Sequence, residues 1–190
     1  MNTVNIGIGA TTMRDQLLYL GPIVTKFEPD AIVLFAGAND LAVKGNGYAD
    51  RVVEMVGEYV TSAEQLLPGT VVYFVSINTA PSRAGNAPAI DKVNAAVAQM
   101  ATTDGTLRYV ETNAALLGAD GKPDPSKFQA DALHLNDAGY EVFGKLIEER
   151  LVADGFATSD CVFPDGTIAP DSGDGDVSEN DDEAVTADAR

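Results

Sequence analysis

Apolar residues gather in four short runs, at positions 4–8, 31–36, 71–77 and 107–110, each closed off by Gly, Pro, Asn or Asp. Runs of this length, rich in Val and Ile and bounded by turn formers, predict strands. Two of them, Ile32-Val33-Leu34-Phe35 and Val71-Val72-Tyr73-Phe74-Val75, are continuously apolar rather than alternating, which suits strands covered on both faces in a parallel sheet. Between the runs the period changes. Val52, Val53, Val56, Tyr59, Val60, Ala63 and Leu67 recur at three- and four-residue spacings, with Asp50, Glu54, Glu58 and Glu64 among them. That pattern predicts an amphipathic helix over 48–67, stopped by Pro68-Gly69. Ile90, Val93, Val97 and Met100 predict a second helix over 89–100, and Tyr140, Phe143, Leu146, Ile147 and Leu151 a third. Asn136 or Asp137 is a good N-cap for the third. Strands alternating with helices predict an α/β layered domain with right-handed crossovers. In such domains ligands sit beyond the carboxyl ends of the strands, so the polar residues after each run become the candidates for function.

Composition changes this picture at one end. The chain has 190 residues, 45% hydrophobic and 22% charged, enough for one folded core. Its net charge of −17 is uneven: residues 1–153 carry −7 and residues 154–190 carry −10. The expectation is a domain over 1–153 and an acidic, disordered tail over 154–190, which has too few large apolar side chains to offset its ordering entropy. An excess of this sign repels phosphate backbones and anionic headgroups, so neither nucleic acid nor a membrane surface is an expected partner. No apolar run is long enough to insert into a bilayer. Asp171, Asp174 and Asp176 cluster in the tail but lack the glycine and glutamate of a calcium loop, so they read as a solvated charge run. The single Cys161 cannot form an internal disulfide, and the N-terminus lacks the regions of a signal peptide. The default expectation is cytoplasmic, with export open if residues precede Met1.

Four segments follow the predicted strands: 5–12, 37–40, 80–83 and 131–136. The last holds His134, the only histidine of the chain, three residues after Asp131. If the two share a turn, the carboxylate fixes the imidazole tautomer and stabilises the imidazolium, which is half of an acid–base pair. On its own so short a pattern reads more simply as a helix-start aspartate beside a surface histidine. Asn39 follows the strand at 31–36 and offers a side-chain amide suited to an oxyanion; taken alone it is a turn residue, with Asp40 as an N-cap. The glycine-rich stretch Gly7 to Thr12 offers backbone N–H groups that suit an oxyanion too, though a plain tight turn is the simpler reading. The G-x-G at Gly7 and Gly9 is not a dinucleotide fingerprint, because its third glycine is missing.

Together and in this order, NIGIGATTMRD, GAND and DALHLNDAGY resemble the second, third and fifth blocks of the SGNH or GDSL family of serine ester hydrolases. The resemblance covers about residues 2–153. It implies a three-layer, flavodoxin-like α/β fold with a parallel sheet. It also implies Asp131 and His134 as triad members, with Asn39 and the backbone N–H at Ala10, beside Gly9, as the oxyanion hole. A small-molecule ester is the implied substrate, and no metal or organic cofactor is implied.

Two departures stand out. The family's first block, Gly-Asp-Ser at the end of its first strand, supplies the nucleophile and is absent from the sequence. Ser62, Ser76, Ser82, Ser126, Ser159, Ser172 and Ser178 are the serines present, and none has a matching context. Ser82 could face the same end of the sheet, but activation requires hydrogen-bond reach of His134. The fold is therefore expected to lack its first strand, which in the order 2-1-3-4-5 would lie between the strands at 4–8 and 31–36. The favoured expectation is a truncated hydrolase whose upstream residues belong to it, inactive alone; the alternative is a non-catalytic ligand-binding domain. The second departure is Ala10 where the family usually has glycine, which costs on the order of 1 kcal/mol if its φ is positive.

Overall fold

The structure is a computed structural model that describes residues 3–156. The expected tail, from residue 157 onward, and its aspartate cluster lie outside the described residues. Three strands, β1 (Ala31–Leu34), β2 (Val71–Val75) and β3 (Leu107–Val110), form one parallel sheet in the order β1-β2-β3. Ala31 pairs with Val71, and Val72 with Leu107. Five helices accompany them: α1 (Met13–Leu20), α2 (Ala38–Lys44), α3 (Ala49–Leu66), α4 (Ala87–Met100) and α5 (Asp137–Ala153).

The sheet is the middle of three layers. Ile32, Leu34, Val72 and Phe74 enter one core with Met13 and Leu20 of α1 and the apolar stripes of α3 and α4. Val52, Met55, Val56 and Val60 of α3 are almost completely buried, each stabilising the fold by about 1.5–3 kcal/mol relative to exposure. The opposite face carries α5. Phe143 meets Phe35 edge-on at 5.2 Å, and Phe156 meets Tyr73 at 6.0 Å. The Asp154 carboxylate accepts from the Tyr73 hydroxyl at 2.9 Å and from Arg150 Nε at 2.9 Å, fastening the end of α5 to the central strand.

The strands at 31, 71 and 107 and the helices at 49, 87 and 137 stand close to where periodicity places them. The expected strand at 4–8 does not form. Its apolar alternation is genuine, but among the described residues no strand pairs with it, and Val4, Ile6 and Ile8 are exposed. Nor is β1 covered on both faces: Ile32 and Leu34 are buried in the core on one face, whereas Val33 and Phe35, which point to the other, are 45% and 48% exposed. Two helices went unpredicted. Helix α1 starts from a capping box: the Thr12 side chain accepts from the Asp15 backbone N–H, and the Asp15 carboxylate accepts from the Thr12 N–H at 2.8 Å. Helix α2 follows Gly37, so Asp40 lies within its first turn and is not an N-cap.

Candidate active site

Beyond β1 the chain must turn sharply into α2, and Gly37 makes that turn at φ 106°. A side chain there would be strained, and its Cβ would sit 2.8 Å from Ile77 Cδ1 and 3.0 Å from Val52 Cγ1. The turn delivers Asn39 and Asp40 to the start of α1. Asn39 Nδ2 donates to the Thr11 carbonyl at 3.0 Å, and Asp40 Oδ2 accepts from the Met13 N–H at 2.9 Å. Two successive side chains thus clamp residues 11–13. Asp40 is buried, which raises its pKa, while the Met13 N–H pulls the other way. Asn39 has two N–H donors, so one remains after the Thr11 bond.

Residues 8–11 and 35–39 enclose a cavity of about 180 Å³ at this corner. Gly9, Ala10 and Asn39, the three expected oxyanion donors, all line it. Ala10 is left-handed, with φ 63°. The replacement of glycine here therefore carries the conformational cost anticipated above, on the order of 1 kcal/mol.

The imidazole belongs to the loop before α5. Asp131 Oδ2 meets His134 Nδ1 at 2.6 Å, while Asp131 Oδ1 accepts from the N–H groups of Leu133 and His134 at 2.9 and 3.0 Å. These bonds hold the Asp131 carboxyl down at about 2, with the side-chain bond to His134 as the largest cause. Ala132 is left-handed, at φ 56°, which lets the carboxylate fold back over both N–H groups. The side chains are 63% exposed for His134 and 44% for Asp131. With Nδ1 committed to the carboxylate, Nε2 has no hydrogen-bond partner among the described residues.

The loop is anchored at both ends. The Ser82 N–H donates to the Ala132 carbonyl at 2.9 Å, and Gln129 N–H to the His134 carbonyl at 2.7 Å. Asn136 caps α5 by accepting from the Gly139 N–H at 3.0 Å, and its Nδ2 donates to the carbonyls of Ser126 and Phe128. Gly139 packs so closely that a Cβ would collide with the Lys127 carbonyl and come within 3.0 Å of Leu135 Cδ2. The 76–80 segment that leads to Ser82 is fixed by buried polar side chains. Asn94 bonds the backbone N–H and carbonyl of Ile77 at 2.8 and 3.0 Å, and the Ser76 hydroxyl accepts from the N–H groups of Thr112 and Asn113.

The expected residues therefore come together as two groups. Asp131 and His134 form one; Gly9, Ala10 and Asn39 form the other. His134 does not line the cavity between residues 8–11 and 35–39. Phe35, which does, touches Phe143 on the helix that follows His134, and the Asp131–His134 loop meets Ser82 of the segment that follows β2. Among the described residues no serine hydroxyl bonds to His134; Ser82 meets the loop through its backbone. Sequence reasoning missed Asp40 as the clamp on Met13. Its signal was the Thr12-to-Asp15 capping box, which marks a helix start for that clamp to hold.

A family model described as GDSL-like Lipase/Acylhydrolase family matches residues 1–142. No curated protein matches the sequence significantly. Among solved structures, a GDSL-like lipase from Bacteroides thetaiotaomicron is 22% identical, with 78% of this chain and 74% of that chain covered and a TM-score of 0.63. A catalytic mutant of the acetylxylan esterase Axe2 from Geobacillus stearothermophilus is 20% identical, covering 81% and 72%, with a TM-score of 0.64. A family 3 carbohydrate esterase from Clostridium thermocellum is 16% identical, covering 76% and 67%, at 0.61.

Proposed function

Because the chain belongs to the GDSL-like lipase/acylhydrolase family, we propose that it is the acid–base and oxyanion-binding part of an ester hydrolase for small carboxylic or acyl-sugar esters. The observation that carries this reading is the 2.6 Å bond between His134 Nδ1 and Asp131 Oδ2, which leaves Nε2 free to take a proton. In the proposed cycle a serine hydroxyl attacks the ester carbonyl. The new O–C bond forms as the hydroxyl proton passes to His134 Nε2, and the carbonyl π pair moves onto oxygen. Asn39 Nδ2 and the backbone N–H at Ala10, beside Gly9, receive that oxyanion. Collapse breaks the ester C–O bond, with His134 returning the proton to the leaving alcohol. Water then repeats the sequence on the acyl-serine. The acyl-sugar alternative is suggested by the esterases among the structural neighbours.

The hydroxyl is the missing part, so the chain alone is expected to give no burst and no turnover with p-nitrophenyl acetate. An extension bearing a strand that ends in Gly-Asp-Ser is expected to confer hydrolysis that His134→Ala abolishes. Inactivity of the extended protein would refute the hydrolase reading. The lack of a serine beside His134 favours one other reading, a ligand-binding domain. It predicts that ester analogues bind without turnover in both forms.

A further inference from the structure

Segment 81–86 connects the two groups of the candidate site, and it carries a side chain that the acid–base reading does not use. At its start the Ser82 N–H donates to the carbonyl of Ala132, the residue after Asp131. At its end Asn86 Nδ2 donates to the Leu41 carbonyl at 3.2 Å and to Asn46 Oδ1 at 2.9 Å, and Asn46 Nδ2 returns a bond to the Gly85 carbonyl at 3.0 Å. Leu41 belongs to α2, the helix that carries Asn39 in its first turn. The segment is thus tied to the dyad loop at one end and to the helix of the Asn39 amide at the other. Arg83 stands between these ties, where the short helical turn breaks at φ −118°, ψ 20°.

Arg83 is half-buried, yet its guanidinium has no acceptor among the described residues. The other half-buried arginines there are all bonded: Arg51 to Glu54 and Glu58, Arg108 to the carbonyls of Gly105 and Leu107, and Arg150 to Asp154. Arg14 also lacks an acceptor, but it is exposed. Asp131, beside the Ser82 tie, has both oxygens engaged by His134 and the N–H groups of its own turn. A guanidinium is always charged and presents its donors in a planar fork, so one that is partly withdrawn from water and unpaired is matched by a planar anion. We infer that Arg83 binds a free carboxylate on the ester and holds that ester beside His134, which makes the substrates esters with a carboxylate on the acyl or the alcohol side. A carboxylate suits the place better than a phosphate dianion, because the residues bonded to the segment, Leu41, Asn46 and Ala132, include no second cation. The substrate class rests on the ester-hydrolase reading; the anion contact does not.

The test titrates the full chain at pH 7 with monomethyl succinate and with acetoxyacetate, which carry the carboxylate on the acyl and the alcohol side, and with their neutral methyl esters. NMR follows the Arg83 Nε–H and the ring of His134, whose signals are unambiguous because the chain has no other histidine. At least one acid is expected to shift both groups and to bind about tenfold more tightly than its neutral ester. Arg83→Gln should abolish that preference, and Arg83→Lys, which keeps the charge without the fork, should retain part of it. Lys44→Gln, which removes an exposed cation at the end of α2, should leave the preference intact. Four results would overturn the role of Arg83: equal affinity for acid and neutral ester, a preference that survives Arg83→Gln, a preference lost in Lys44→Gln, or a shift at Arg83 with none at His134. Binding as expected, with no hydrolysis of either ester once a strand ending in Gly-Asp-Ser is added, would uphold the Arg83 contact and refute the ester-hydrolase reading. Hydrolysis of acid and neutral esters at equal kcat/KM would do the reverse.

Discussion

Replacing Ala10 by glycine should make the protein more stable, contrary to the usual effect of introducing glycine. Ala10 is held at φ 63° by the turn into α1. A Cβ in the left-handed region costs about 1–2 kcal/mol. Glycine removes that cost and returns about 0.5–1 kcal/mol through the greater freedom of the unfolded chain. The expected net gain is about 0.5–1 kcal/mol, or roughly 1–4 °C in Tm for a chain of this size. Gly9→Ala is the control. Gly9 is not left-handed, and a Cβ there meets nothing within 4 Å, so the variant should be neutral or slightly stabilising. Ala132→Gly should match Ala10→Gly, since Ala132 lies at φ 56°. Urea unfolding with an unchanged m-value measures all three. If Ala10→Gly lowers the midpoint, the left-handed geometry at Ala10 is wrong.

Three further outcomes follow from the packing and the carboxylates. Gly139→Ala drives a Cβ into the Lys127 carbonyl and against Leu135; it should cost about 1–3 kcal/mol and loosen the Asp131–His134 loop, seen as faster exchange at the Leu133 and His134 amides. Asp131, with its carboxyl lowered to about 2, binds fewer protons folded than unfolded. Its contribution is complete above the ordinary carboxylate range and lost as pH falls toward 2, so those same two amides should lose protection over that interval, and constant protection would contradict the dyad geometry. Asp40 runs the other way: burial raises its pKa, so the folded form is favoured as pH falls. Asp40→Asn keeps an acceptor for the Met13 N–H and should flatten the dependence of unfolding free energy on pH just above the ordinary carboxylate range, and an unchanged slope there would place Asp40 in water.

Much of this fold is legible in the sequence because its period is carried by large side chains. The stripe from Val52 to Ala63 and the run from Val71 to Val75 lie in the core, so burial and pattern agree. The dyad is legible for a local reason: Asp131 and His134 share one turn, and Asn136 supplies the cap that ends it. Residues 4–8 mislead because alternation expresses a capacity to pair, and pairing also needs a partner. The two overlooked helices are short and partly exposed, so they have little apolar stripe to display; their evidence lay in caps and in Gly37. Gly9, Ala10 and Asn39 could be named as a group, but the Asp40 clamp that helps hold their corner depends on a contact spanning 27 residues. No local pattern encodes such a distance.

The knot of Tyr73, Arg150 and Asp154 has a practical use. Helix α5 has 17 residues and starts just after the imidazole loop, so at 1.5 Å per residue its far end lies about 25 Å from His134. A fluorophore or affinity handle joined after Phe156 would leave the molecule from there, tethered to the middle of the sheet. Its signal would report on the body of the protein, well away from the Asp131–His134 loop.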